Sequence, residues 1–220
     1  MHYEEHMYLT MFTLNLHSAV VQASLADANL MFKRVRSLFG HHPHETRELF
    51  RVWHSANGQT QLLVQSVIPP DATAWSLNDI LTAQHQCDLR PLWDNISAGQ
   101  CLAFDVVASI SKRSNGHEIP LRRDADRTTW LKQKGQHHGF AVADDGDSPL
   151  PLHWHSPSVH AGEKGKQQRV VVPPACATGQ LQVRDGAALV ACLHTGIGRS
   201  KALGLGLIVL PQHYLPPEMQ

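Results

Sequence analysis

Thr195-Gly196-Ile197-Gly198-Arg199-Ser200-Lys201-Ala202-Leu203-Gly204-Leu205-Gly206-Leu207-Ile208-Val209-Leu210 is the stretch on which the fold turns. Glycines at 196, 198, 204 and 206 let a backbone take positive φ and come close to another group, and Lys201 among them suits a phosphate. The order Gly-x-x-x-x-Gly-Lys-Ser/Thr is absent and no apolar strand runs straight into the first glycine, so this is not a nucleotide P-loop. Asp185 to His194 reads as a helix with Ala188, Leu189, Ala191, Cys192 and Leu193 on its apolar side. Leu205 to Leu210 reads as a short buried strand. The segment is thus a helix-to-strand connection with a cation in it, open to two readings: a phosphate-facing loop or a plain tight turn with a surface lysine.

Working outward, the chain reads as two passes of one strand-helix-strand pattern. The first predicts a strand Tyr8 to Leu14, a helix Ala26 to Leu38, a hairpin of Glu48 to His54 and Gln61 to Val67 around Ala56-Asn57-Gly58, and a short helix Leu77 to His85. The second predicts a strand Cys101 to Ile110, a helix Ala125 to Lys134, and short strands near Phe140 to Ala143 and Leu150 to His155. A polar hairpin tip at Ala161-Gly162-Glu163-Lys164-Gly165-Lys166 follows, then strands Arg169 to Ala175 and Gln180 to Arg184, and the closing helix and strand. The pattern is that of an α+β protein with predominantly antiparallel sheets. Trp53, Trp75, Trp93, Trp130 and Trp154 are read as packing residues more than as base-stacking platforms.

Composition sets bounds. The 220 residues fit one large domain or two small ones. No apolar run is long enough to span a bilayer and no signal or lipidation motif is present, so a soluble cytoplasmic protein without a membrane partner is expected. Cys87, Cys101, Cys176 and Cys192 form no Cys-x-x-Cys pair, which points away from a zinc knuckle or a disulfide framework. The formal net charge is zero, yet thirteen of the nineteen Lys and Arg, against eight of the nineteen Asp and Glu, lie between Lys112 and Lys201. A local basic stripe can attract phosphates while acids elsewhere cancel it in the sum. His153-Trp154-His155 and His41-His42-Pro43-His44-Glu45 each offer imidazoles without a further spaced ligand, so neither a metal nor a cofactor is expected.

The pattern Gly-Ile-Gly-x-x-Lys-Ala-Leu-Gly-Leu-Gly-Leu resembles the C-terminal signature of the repeat-associated RNA-binding proteins of CRISPR systems, and within them the CasE branch of repeat-RNA endoribonucleases. Met7-Tyr8-Leu9-Thr10 is similar to that family's N-terminus, making 1–6 an extension. Leu62-Leu63-Val64-Gln65-Ser66 with Pro69-Pro70-Asp71, Gly99-Gln100 through Ala108 with Lys112-Arg113, Trp130-Leu131, and Gly179-Gln180-Leu181-Gln182-Val183 continue the resemblance in order along the chain. It implies tandem ferredoxin-like (RRM-like) domains, 1–94 and 95–220. It implies binding of CRISPR repeat hairpin RNA, as precursor and as mature guide, and metal-independent cutting in which a 2′-hydroxyl attacks the adjacent phosphate. It also implies retention on the guide RNA with the other subunits of an effector complex.

The family's first helix usually carries a Tyr-x-x-His pair. Here Asn29 stands at the tyrosine place and Phe32 at the histidine place, and no His or Tyr lies between Val20 and Gly40. Leu25, Ala28, Phe32, Val35 and Phe39 form a stripe with the spacing of a buried helix face. Lys33, Arg34 and Arg36 on the opposite side are candidates to hold the scissile phosphate, with Asn29 beside them and His17 as the nearest upstream imidazole; a solvated basic face is the other reading. The resemblance and the charge pattern together give Lys112, Arg113, Lys164, Lys166, Arg169, Gly196, Gly198, Arg199, Lys201, Gly204 and Gly206 as the RNA-binding set. A cationic two-stranded ribbon at Lys164, Lys166 and Arg169 suits the backbone of an A-form hairpin, whose deep major groove discourages base reading; a solvated turn stays open. The alternative to an endoribonuclease is a subunit that no longer cuts and caps the guide-RNA hairpin.

Overall fold

The computed structural model describes residues 6–40, 48–54, 58–76, 78–115, 117–142, 149–155, 160–164 and 168–211. Its first half runs β1 (Tyr8–Leu14), α1 (Ala19–Ala26), α2 (Ala28–Ser37), β2 (Leu49–His54), β3 (Thr60–Ser66) and β4 (Ile80–Asp88), and a single turn of helix, α3 (Arg90–Trp93), leads on. The strands form one antiparallel sheet in the order β2-β3-β1-β4. The second half holds β5 (Cys101–Ser109), a small hairpin of β6 (Ser111–Ser114) and β7 (His117–Pro120), α4 (Asp124–His137), β8 (Phe140–Val142) and β9 (His153–His155). A second hairpin of β10 (His160–Lys164) and β11 (Gln168–Val172) comes next, then β12 (Pro174–Val183), α5 (Gly186–Thr195) and β13 (Ile208–Val209). Its sheet is ordered β13-β5-β12-β8, with β9 also paired to β12. Both sheets place the last strand beside the first and the third strand on the first strand's other side, which is the ferredoxin-like order. The α+β, tandem ferredoxin-like expectation is borne out.

Five local expectations are corrected. The helix predicted from Ala26 to Leu38 starts two residues later, as α2, because Asp27 sits in extended backbone (φ −129°, ψ 109°), closing α1 and capping α2 with a carboxylate that accepts from the Asn29 N–H. α1 itself has no counterpart in the sequence reading. Ser18 starts it, its hydroxyl accepting from the Val21 N–H. Leu77 to His85 is not a helix: Ile80–Asp88 is an edge strand registered on β1, with Tyr8 opposite Asp88 and Thr10 opposite Gln86. Pairing with β1 gives these backbone groups partners that a short helix leaves unmet at its ends. Arg169 to Ala175 is not one strand either: its first four residues belong to β11 and its last two open β12, which runs unbroken through Gly179, where a side chain would press on Leu152 and Pro151, and takes in the strand predicted from Gln180. Of Leu205 to Leu210, all buried as expected, only Ile208 and Val209 are in a strand. Ala161 to Lys164, read as a turn tip, belong to β10; Gly165 and Lys166 lie outside the described residues, as do Ala56, Asn57, His41, His42 and His44.

The two halves share a core. Alternation on β1 sends Phe12 and Leu14 to the side of α1 and α2, where they meet Met31, Val35, Leu38, Phe50 and Val64. Leu9 and Met11 face the other way and join Leu49 and Leu63 in one cluster with Phe104, Val106, Leu181, Leu189 and Leu193 of the second half. Gln65, fully buried on β3, donates from Nε2 to the Leu193 carbonyl at 2.8 Å, tying the first sheet to α5. Trp75 and Trp93 are buried, and Trp53, Trp130 and Trp154 are half-buried against the shared core, which agrees with a packing role.

Candidate nucleic-acid interface

The glycine-rich segment is a clamped turn. α5 ends at Gly196 (φ 72°), whose N–H donates to the Cys192 carbonyl. Ile197 N–H donates to the Gly206 carbonyl at 2.9 Å, and Gly206 N–H donates to the Val107 carbonyl at 2.7 Å, so both ends are pinned to each other and to β5. Between them Ser200 takes left-handed backbone and Lys201–Leu203 form a single 3-10 turn. At Gly204 (φ +76°) an added Cβ would stand 2.8 Å from the Phe50 ring, and at Gly206 (φ +91°) it would strike the Ile197 carbonyl oxygen. The close approach that the sequence reading gave to a ligand is, at these two positions, an approach to the protein's own β2 and its own turn. Gly198 faces Ser109 and the Trp130 ring.

That turn lies beside α2, and both lie beside β10. A cavity of about 40 Å³ separates Leu25, Ala28 and Met31 from Leu203 and Gly204. The fold therefore brings the first-helix candidates, the glycine-rich turn and the hairpin that carries Lys164 and Arg169 to one region, although they come from distant parts of the chain. Lys166 lies outside the described residues. Lys112 and Arg113 are exposed on β6, and Arg199 pairs with Glu118 of β7, which draws that hairpin to the turn as well. His153 and His155 are exposed on β9, and among the described residues no group of three or more ligating side chains gathers as a metal site.

The α2 cations differ in what they do. Arg34 donates from Nη2 to Asp79 at 2.8 Å, its guanidinium lies 4.2 Å from the centre of the Trp75 ring, and the Trp75 indole N–H donates back to the Arg34 carbonyl. Asp79 also accepts from the Ser18 hydroxyl at 2.5 Å. Burial pushes the Asp79 carboxyl up, but the hydrogen bonds from Ser18 and Arg34 and the Arg34 charge outweigh it and hold the group below the usual carboxylate range. Arg36 reaches Glu48 at 3.4 Å and lies over Phe32. Both arginines are committed to carboxylates that fix α2 to its surroundings. Lys33 is exposed, and Asn29 is half-buried with its N–H on Asp27. Phe32 stacks on Phe50 with ring centres 6.3 Å apart, the core role that its stripe predicted. His17 is exposed in the turn before α1, its N–H on the Asn15 side chain.

Lys201 is half-exposed among other cations. The His138 imidazole, just past α4, is pushed below its ordinary value first by burial and then by the charges of Lys134, His137 and Lys201. Lys134 Nζ stands 5.8 Å from the centre of the Trp130 ring. Trp130, Lys134 and His138 thus join Lys201 and Gly198 in one positive corner that sequence reasoning missed. Also missed is a buried ion pair between the halves: Arg51 Nη1 donates to Asp105 Oδ1 at 2.5 Å, and the guanidinium stacks 4.5 Å from the Trp53 ring centre. Cys176 donates to the same carboxylate; burial foremost, with the Asp105 charge, pushes its thiol up to about 11. The available signal was alternation, since Arg51 shares a strand face with Leu49 and Trp53.

The chain matches the model of a family described as CRISPR associated protein over residues 7–211. The match begins at Met7, where the resemblance places the family's N-terminus. A curated relative, the CRISPR-associated endoribonuclease Cse3 of Thermus thermophilus, is 29% identical over 217 residues, covering 92% of this chain and 98% of the relative. A solved Cse3 structure bound to 19 nt RNA superposes with a TM-score of 0.81 at 24% identity, covering 93% of this chain and 98% of that one. A chain from a CRISPR RNA-guided surveillance complex in a pre-nicking state gives 0.63 at 19% identity, with 92% and 98% covered. No helix among the described residues is long and apolar enough to cross a membrane.

Proposed function

The chain belongs to the CRISPR-associated protein family, and we propose that it is a CasE-type member that binds the hairpin of CRISPR repeat RNA, cuts the precursor at the hairpin's 3′ base and stays on the product. The observation that carries this reading is the convergence of α2, the β10–β11 hairpin and the glycine-rich turn on one cation-bearing region. It is supported by the relative named an endoribonuclease and by the similar chains solved with RNA and in a surveillance complex. Lys201, with Lys134 and His138 behind it, is the proposed phosphate contact at the turn. Lys112 and Arg113 on β6 and Arg199 on the turn extend the basic surface, and Lys164, Lys166 and Arg169 are the proposed contacts to the RNA backbone. Gly196, Gly198, Gly204 and Gly206 shape the turn that presents them. Lys33 is the α2 cation best placed to meet the scissile phosphate, with Asn29 one helical turn away on the same side. His17 is the candidate imidazole. The two ferredoxin-like units divide at 94, and the protein acts in the cytoplasm with the other subunits of an effector complex.

Internal attack by a 2′-hydroxyl needs positioning and proton transfer and supplies its own nucleophile, so cutting is expected to proceed in EDTA. A labelled repeat hairpin incubated with the protein in EDTA should give a single cut, and a 2′-deoxy sugar before the cut should abolish it. A requirement for added divalent metal would overturn the mechanism. A second reading, a hairpin cap that no longer cuts, is favoured by one observation. Phe32 is packed on Phe50, and the neighbouring Arg34 and Arg36 are held by Asp79 and Glu48. Tight hairpin binding with an intact substrate after prolonged incubation would establish it.

A further inference from the structure

A cleft of about 600 Å³ opens between α4 and β9. That volume lies within the range of small-molecule sites and is ample for one nucleotide unit. Asp124, Thr128 and Lys132 line it from successive turns of the helix, and Leu152, His153 and Trp154 line it from the strand side. The Trp154 indole N–H donates to the Thr128 hydroxyl at 2.9 Å, so the ring is held at a fixed angle across the floor. Lys132 and His153 are exposed at the rim. A held aromatic floor with a cation, an imidazole and hydroxyls around it is the chemistry of single-stranded nucleic-acid sites, where a base stacks and its phosphate meets a cation.

The turn described above lies across α4 from the cleft. Trp130, two residues from both Thr128 and Lys132 and so on the other side of the same helix, faces Gly198 of the glycine-rich turn. We propose that this cleft takes one nucleotide of a single-stranded segment continuous with the bound hairpin, the base on Trp154 and the phosphate at Lys132 and His153. The inference rests on the hairpin-binding reading for the source of the strand. The site's chemistry, a base with a phosphate, is shared with free mononucleotides.

The test compares three probes on the whole protein: a blunt repeat hairpin, the same hairpin with a single-stranded oligoadenylate extension on either end, and free AMP. One extended hairpin should bind roughly tenfold more tightly than the blunt one, the usual gain from a stacked base. That gain should vanish in Lys132→Ala/His153→Ala while blunt-hairpin affinity stays at the wild-type value. Trp154→Phe, which keeps a ring but loses the bond to Thr128, should lose part of it. An equal gain in wild type and variants, or no gain from either extension while the blunt hairpin binds, overturns the proposal. Saturable AMP binding lost in the double variant, without any extension effect, assigns the cleft to free nucleotide and overturns the strand source. Failure of the blunt hairpin itself to bind refutes the hairpin reading. In that case oligoadenylate alone decides the cleft: binding sensitive to Lys132→Ala/His153→Ala supports it, and no binding overturns it.

Discussion

Removing Arg51 should destabilise this protein more than removing any exposed cation. Its side chain is 9% exposed and that of Asp105 14%, so both charges have been drawn out of water and depend on each other. Arg51→Met leaves the Asp105 carboxylate buried with only the weak Cys176 thiol donor near it, at 3.7 Å. Breaking such a pair from one side costs about 3–5 kcal/mol. At roughly 2–4 °C per kcal/mol for a chain of this size, the melting temperature should fall by roughly 6–20 °C. Arg51→Met/Asp105→Leu removes both charges, and because the desolvation cost disappears with them it should recover most of that loss or exceed the parent. Hairpin binding should report the same event. Phe50, next to Arg51 on β2, is the surface against which Gly204 packs, so a loosened β2 loosens the glycine-rich turn. Urea and thermal unfolding of the parent, both single variants and the double variant measure the effect. Single variants within about 1 kcal/mol of the parent, or a double variant as unstable as either single, would refute the argument, since a buried charge cannot lose its partner so cheaply.

Two further outcomes follow from the ionisable groups. Asp79→Asn should cost about 1.5–3 kcal/mol at neutral pH through lost charged hydrogen bonds; because the folded carboxyl lies below its ordinary value of 3.8, that contribution is complete above this pH and lost as pH falls through the folded value, so acid titration of parent and variant should converge below pH 3.8. For His138, held below 6.5 by burial and by Lys134, His137 and Lys201, Lys201→Ala should raise its titration in NMR, and hairpin RNA should raise it too, because a phosphate at Lys201 favours the imidazolium. An RNA-bound titration identical to the free one would place the phosphate elsewhere.

What the sequence made legible follows from how local each signal was. The strands Tyr8–Leu14, Leu49–His54, Thr60–Ser66 and Cys101–Ser109 carry period-two or continuously apolar runs between turn residues, and all four agree with the sequence reading to within a residue or two. Ile80–Asp88 reads wrongly because its partner is β1, more than sixty residues away, and nothing within the segment announces that pairing. α1 escapes for a related reason. Its sequence Ala-Val-Val-Gln-Ala-Ser-Leu-Ala has no apolar stripe distinct from a polar one, so the periodic signal on which a helix is recognised is absent. The Ser18 and Asp27 caps are there to be seen, and taking them first gives the start of both helices.

The candidate site was legible in kind and less so in detail, and the difference lies in the arginines. Sequence alone ranks Arg34, Arg36 and Lys33 together as cations on one helix. The structure separates them, because a guanidinium forms a planar pairing with a buried carboxylate that a lysine ammonium does not match. Arg34 and Arg36 are drawn to Asp79 and Glu48, as Arg51 is to Asp105. Their charge is largely neutralised where it sits, each pair removing one charge of either sign, and Lys33, Lys112, Arg113 and Lys201 remain toward solvent. The consequence for catalysis is specific. An arginine already bonded to a carboxylate must give up that bond to meet a phosphate, whereas Lys33 gives up only water. Rate should therefore depend more on Lys33 than on Arg34 or Arg36, and substitutions at the two arginines should act first through stability.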